Sequence, residues 1–328
     1  MNRRKFAQLS VYSIIAGNVL LGCENTSPQP AEASEITLDR VGVGLFTIPF
    51  LLEQDFAGTL RKLSDIGYKE VELYGPYEYT AQETKDAWAG ITAQLGFSGS
   101  GYFGHTAQEV RAILDDLGLT SPSMHTDLIT LNTNLDAVIE AAQVIGHKYA
   151  GIAAIPEPER PDLDGYKRVA DQFNEIGMKM SDAGIKLLYH NHGYGLSEME
   201  GEIPFKMLLN RTEPDYVAME MDIYWMTAGK ADSVAYLNEF PGRFKLMHIK
   251  DMTEIVHFEG DGSTPAEWIP LFPYMADAGD GVLDLPSILS AAKRNGVDHY
   301  YLERDMAADP DTTLQNSYDF LSSVKLAV

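Results

Sequence analysis

The sequence predicts a (β/α)8 barrel, on three observations. Short apolar runs alternate with amphipathic segments from Val41 to the end of the chain. Eight of those runs are strand candidates, mostly fully apolar rather than alternating, as parallel strands covered on both faces should be. Four of them carry a metal-binding type of side chain at or near their ends: KLLYHNH at His190, VAMEMD at Asp222, FKLMHIKD at His248 and YYLERD at Glu303. Residues so far apart in sequence become neighbours where a fold gathers its strand ends, as the C-terminal rim of a barrel does.

In chain order the strands are expected at 41–47, 70–74, 121–126, 149–155, 186–192, 217–222, 244–250 and 299–303. Helices are expected between them at 56–66, 107–117, 135–145, 166–183 and 286–295. Each of these five runs into a glycine, at Gly67, Gly118, Gly146, Gly184 and Gly296. Glycine there supplies the left-handed residue that ends a helix. Repeated strand–helix alternation over about 290 residues is the length of one such barrel. Two connections are long, 75–100 and 253–281. Both follow strands, so both should lie over the active-site face and shape a pocket. Trp88, Tyr102, Phe103, Phe258 and Trp268 lie in or beside them, either to stack on a sugar or to pack the loops down.

The chain has 328 residues, with 48 acidic against 25 basic and a formal net charge of -23. That excess repels phosphate backbones and argues against a nucleic-acid partner. Cys23 is the single cysteine, so an intrachain disulfide and a cysteine-rich zinc site are both excluded. Any metal must rest on His, Asp and Glu.

The N-terminus reads as an export signal. A basic start, Asn2-Arg3-Arg4-Lys5-Phe6, precedes an apolar stretch that ends Leu20-Leu21-Gly22-Cys23. The paired arginines resemble a twin-arginine signal, and Leu-Leu-Gly-Cys resembles a lipobox whose cysteine is lipidated. The expectation is a signal over 1–23, lipidation at Cys23, a flexible tether over 24–38 rich in Ser, Pro, Ala and Glu, and a catalytic barrel over 39–328. The protein would then be exported and membrane-tethered, in the periplasm or on the cell surface, touching the membrane through its lipid alone.

Two histidines and two carboxylates suit one divalent ion such as Mn, Co, Zn or Mg. The metal set is therefore His190, Asp222, His248 and Glu303. Each has a duller reading: Asp222 as a helix cap, Glu303 paired with Arg304, a lone His as a structural residue. Around them, Glu72 ends the second strand and His125 the third. His192 and Lys250 each lie two residues past a ligand, on the same strand face if pairing continues. Lys250 could hold a substrate oxygen or move a proton, or simply pair with Asp251. His105, His147, His257 and His299 read as surface or structural.

These motifs resemble the sugar isomerase/epimerase group of xylose-isomerase-like TIM barrels, over roughly 41–325. The resemblance rests on Val71-Glu72-Leu73, Tyr189-His190-Asn191-His192, Asp222-Ile223-Tyr224-Trp225, His248-Ile249-Lys250-Asp251, Leu302-Glu303 and Gly279-Asp280-Gly281-Val282-Leu283-Asp284. It implies one divalent ion on strands five to eight, at His190, Asp222, His248 and Glu303. On the rim itself, Glu303 is the expected base, with His125, His192 or Lys250 as proton partners, and Glu72, Asn191 and Trp225 are the expected substrate contacts. The strand-five ligand of the family is usually Glu; here the strand end offers His190, the favoured ligand, with His192 as the alternative. The expected reaction is isomerisation or epimerisation of a non-phosphorylated keto-sugar or glycoside, by proton abstraction next to a carbonyl. The alternatives are a lyase or hydratase acting on 3-keto-glycosides by β-elimination, and an inactive sugar-binding protein. The family also includes DNA endonucleases, which the acidity of this chain disfavours.

Overall fold

The computed structural model describes residues 35–328. The expected signal, Cys23 and residues 24–34 of the tether lie outside the described residues. Glu35–Ile36 pair antiparallel with Leu326–Ala327, and Leu38 is buried. The last four residues expected in the tether therefore belong to the barrel unit.

Eight parallel strands close into a barrel: β1 (Gly42–Gly44), β2 (Glu70–Tyr74), β3 (Thr120–Thr126), β4 (Tyr149–Ile152), β5 (Lys186–His190), β6 (Val217–Asp222), β7 (Phe244–Ile249) and β8 (His299–Leu302). Each strand pairs with the next, and β8 returns to β1. The outer helices are α1 (Phe56–Ile66), α2 (Ala107–Leu117), α3 (Leu135–Ile145), α4 (Leu163–Ser181), α5 (Pro204–Arg211), α6 (Ser233–Glu239), α7 (Leu285–Arg294) and α8 (Pro310–Ser323). Their starts are set by side-chain caps. Asp55, Asp162, Asp232, Asp284 and Asp309 each accept from the backbone N–H three residues on. Thr106 and Glu109 form a reciprocal capping box on α2.

Five strands stop earlier than their apolar runs. At β1 the chain turns into a 3-10 helix over Leu45–Thr47. At β4, β5, β7 and β8 the last residues leave the strand to form the rim.

Side chains pointing inward stack in layers. Tyr149, Leu188, Ala218, Leu246 and Tyr301 make an apolar plug. One strand step above it come Glu72, His125, His190, Glu220 and His248, then Asp222, Lys250 and Glu303. The register puts His190 opposite Glu220 and Asp222 opposite His248. Glycine at β1 makes room for this filling. A Cβ on Gly42 would lie 2.5 Å from the Tyr301 ring, and one on Gly44 would lie 2.7 Å from Glu303 Oε1.

The two long connections are not plain loops. The first contains a helix, Gln82–Leu95. The second contains Pro265–Trp268, a 3-10 segment Ile269–Tyr274, and Met275–Ala276 paired with Asp251–Met252. No helix among the described residues is long and apolar enough to cross a membrane.

Candidate active site

A cavity of about 310 Å³ opens at the C-terminal ends of the strands. Glu72, His125, His190, His192, Lys250, Glu303 and Asp305 form its polar floor, and Trp225 lines it too. The four strand-end residues do gather there. Asp222, His248 and Glu303 bring one ligand atom each within 4.8 Å of one another. His190 belongs with a deeper group of the same kind, His125, His190, Glu220 and His248.

Asp222 serves two roles at once. Its Oδ1 accepts from the backbone of Tyr224 and Trp225, at 2.9 and 3.1 Å, and starts the short helix Ile223–Ala228. That leaves Oδ2, buried and without a well-directed hydrogen bond, facing the site. His190 Nε2 is 3.6 Å from it. Both the capping and the ligand reading of Asp222 are compatible, one oxygen to each.

Glu220 was not singled out in the sequence. It sits one inward step below Asp222 and is fully buried. Its Oε2 accepts from His125 Nε2 at 2.7 Å and from His190 Nδ1 at 3.1 Å, and its Oε1 is 3.3 Å from His248 Nε2. His125 and His190 thus each spend one nitrogen on this carboxylate, and His248 stands beside it. For His190 and His248 the other nitrogen is turned toward Asp222 and Glu303. A carboxylate behind the imidazole is how metal-binding histidines are usually oriented. Burial opposes charge on Glu220, but the charge of His248 and the hydrogen bonds from His125 and His190 hold its carboxyl well below the usual range.

His248 has a carboxylate at each ring nitrogen, Glu303 Oε2 at 2.7 Å and Glu72 Oε2 at 2.6 Å. Carboxylates only accept, so both nitrogens donate. Burial works against the imidazolium, yet Glu220, Glu303 and Glu72 raise its pKa well above the ordinary value.

Lys250 pairs with Asp222 Oδ2 at 2.9 Å, Glu303 Oε2 at 2.7 Å and Asp305 Oδ1 at 3.0 Å. It does not pair with Asp251. Burial opposes its charge, but those three carboxylates push its pKa well up. These contacts suit the expected alternative, a lysine that holds oxygens by charge. Glu303 shares the same neighbours. Burial would raise its pKa, but His248 and Lys250 hold it well below the usual value. Its duller partner, Arg304, pairs with Asp277 instead. Asp305 is the exception among the acids: burial first, aided by Glu303 and Asp222, pushes it up to about 7 despite Lys250.

The histidines divide by what their nitrogens meet. His125 gives Nε2 to Glu220 at 2.7 Å, with Glu72 Oε2 at 3.4 Å from the same nitrogen. His192 Nδ1 is 2.7 Å from the Ala153 carbonyl, so it must donate there. Its Nε2 is then the lone-pair nitrogen of a neutral ring. Burial, then the neighbouring His190 and Lys250 charges, hold its pKa well below the ordinary value. The ring is stacked on Trp268 at 4.0 Å and on Trp225 at 5.6 Å.

Asn191 does not line the cavity, contrary to the expected substrate contact. It is buried and clamps β5 to β6: its Oδ1 accepts from Asp222 N at 3.1 Å and its Nδ2 faces Asp222 O at 3.4 Å. Of the loop aromatics, Trp88 and Trp268 line the cavity. Phe103 packs on Phe56 and Tyr74, Tyr102 on Tyr77, and Phe258 under Trp225. Asp251 accepts from Gly279, Gly281 and Leu283, which explains the glycine motif before α7.

The residues fit a divalent ion. The donors are imidazole and carboxylate, the buried Oε1 atoms of Glu72 and Glu220 make no hydrogen bond, and Asp222 Oδ2 meets the Lys250 ammonium at 2.9 Å without a well-directed hydrogen bond. An ion here would compete with the proton on His248 and share its carboxylates with Lys250.

A closed parallel barrel whose C-terminal mouth holds this His/carboxylate cluster defines a barrel protein with a site for a cation and a small ligand. The chain belongs to the xylose isomerase-like TIM barrel family, whose model matches residues 60–324. Among curated proteins it is similar to an inosose dehydratase of Lacticaseibacillus casei, 23% identical over 171 residues, which are 49% of this chain and 53% of that protein. The chain spans about half the length of the curated relatives it matches. Among solved structures it resembles a sugar phosphate isomerase/epimerase from Parabacteroides distasonis, with a TM-score of 0.65 and 22% identity, over 90% of this chain and 96% of that one. It also resembles the IolI protein with a bound zinc atom, with a TM-score of 0.61 and 14% identity, over 87% and 99% of the two chains. At these identities the structural likenesses show the fold.

Proposed function

We propose that the protein is a metal-dependent lyase acting on a keto-sugar or keto-glycoside by β-elimination. The observation that carries this is His192: a neutral imidazole whose tautomer is locked by Ala153, leaving Nε2 as a lone pair on the cavity. Epimerisation with two carboxylate bases is disfavoured, because His190 replaces one and Glu303 is tied to His248 and Lys250. The dehydratases among the relatives point the same way.

His190, Asp222, His248 and Glu303 would hold the ion, which when bound would supply Lewis acidity toward a ketone oxygen and the negative charge beside it. His192 Nε2 takes the proton from the carbon next to the ketone. The freed electron pair forms a carbon–carbon double bond and expels the oxygen substituent on the β carbon. Asp305, whose carboxyl is pushed up to about 7, gives that departing oxygen its proton. Lys250 stays charged and holds Asp222, Glu303 and Asp305 in place. Trp225 and Trp268 keep the His192 ring face covered.

The test is an NMR-followed panel of keto-sugars and 3-keto-glycosides with Mn, Co, Zn or Mg. An unsaturated ketone with release of water or aglycone is expected. Isomer or epimer without elimination would replace this reading with the isomerase one, and binding without turnover would leave a sugar-binding protein.

We further propose that Cys23 is lipidated and tethers the protein outside the cytoplasm. Cys23→Ala should move the full chain from the membrane to the soluble fraction; an unchanged distribution would remove the anchor.

A further inference from the structure

The cavity floor and the cavity walls have different chemistry. One wall is the helix Gln82–Leu95, which presents Trp88, Ile91 and Leu95, backed by Phe46. The facing wall is the segment after β7, which presents Trp268, Ile269 and Phe272. On the first wall Thr84 donates to Asp127, which also caps the helix Leu128–Thr133, and the Trp88 indole Nε1–H is buried without a partner. Ile269 remains 39% exposed at the rim, an apolar side chain without cover.

A bare sugar carries hydroxyls around its whole circumference. Each one needs a partner when it leaves water. The floor offers such partners; Ile91, Leu95 and Ile269 offer none. Aromatic rings can lie on the C–H face of a sugar, but branched aliphatic side chains flanking them favour an apolar guest. Trp88 and Phe46, 6.2 Å apart on one side, face an equally apolar segment on the other.

The geometry points to a second subsite, between the helix Gln82–Leu95 and the segment 265–274, that binds the aromatic aglycone of a glycoside whose sugar rests on the polar floor. This deepens the lyase reading and rests on it for the sugar's position. The leaving oxygen would then belong to the glycosidic bond, and the aglycone would be held beside Trp88 and Trp268 as that bond breaks.

The test is calorimetric binding of phenyl β-glucoside and methyl β-glucoside to the full chain loaded with Co, with no turnover needed. Phenyl glucoside is expected to bind at least about tenfold tighter. In Ile91→Asn/Leu95→Asn the ratio should fall toward one while methyl glucoside affinity holds. Ile269→Asn, on the opposite wall, should lower the ratio as well, which guards against a folding defect in the helix variant. Equal affinity of the two glucosides, no binding of either, or a ratio indifferent to both variants would overturn the subsite. A phenyl preference without elimination from any keto-glycoside would sink the lyase reading and leave the subsite standing.

Discussion

Glu70 and Glu72 lie two residues apart on β2, on the same inward face, and both are buried. Glu70, at the N-terminal end, meets His299 Nδ1 at 2.7 Å and Arg40 at 3.5 Å. One acid is matched by nearby donors, and nothing is left over. Glu72, at the C-terminal end, shares His248 with Glu303 and has Oε1 unpaired. Around it stand Glu220, Asp222, Glu303 and Asp305, with Lys250 the sole lysine among them. One end of the barrel is electrostatically closed; the other holds more acid than its own cations answer. A closed pair serves stability. An unbalanced cluster is kept for a ligand that is not part of the chain.

Breaking the unbalanced end should cost most. Lys250→Met leaves three buried carboxylates facing one another, and the metal-free protein should lose about 3–5 kcal/mol in urea unfolding. Added Zn or Co should restore part of that loss, since a divalent ion would draw on the same oxygens. A Lys250→Met protein as stable as the parent would mean that the cluster is not charged as described.

His147 tests the closed end. Its Nδ1 donates to the Ser121 carbonyl at 2.6 Å, its Nε2 is buried without a partner, and burial lowers its pKa to about 4. The unfolded imidazole titrates near 6.5. Between those values the unfolded chain binds a proton that the folded one refuses. Stability is therefore full above about pH 6.5 and falls as pH drops toward 4, by about 3 kcal/mol at most. His147→Gln should flatten that part of the pH–stability curve; an unaltered slope would assign it to other groups.

Smaller effects should follow from Glu70→Gln and Gly44→Ala, and their split sharpens the comparison. Glu70→Gln should cost about 1–2 kcal/mol of stability and leave metal affinity unchanged. Gly44→Ala should do the reverse. Its Cβ would press on Glu303 Oε1, so metal affinity should fall about tenfold while the fold holds. Equal behaviour of the two variants would erase the distinction between the ends.

Much of this was legible before any coordinates. Apolar runs and terminal glycines located all eight strands and five of the helices. Strand ends that share a rim brought Asp222, His248 and Glu303 together. Glu220 was missed although a signal existed: strand alternation places it on the same face as Asp222. Asp305 and the true partners of Lys250 were not legible, because they depend on how the chain bends after β7 and β8. The role of Asn191 was equally hidden. A buried amide that clamps two strands looks, in sequence, like any polar rim residue.

The most direct test of the central claim is turnover by His192→Gln. On a 3-keto-glycoside in deuterated buffer with Co, the parent should release unsaturated ketone and aglycone, and His192→Gln should do so about 10²–10⁴-fold more slowly with substrate affinity retained. Undiminished elimination by His192→Gln would contradict the account.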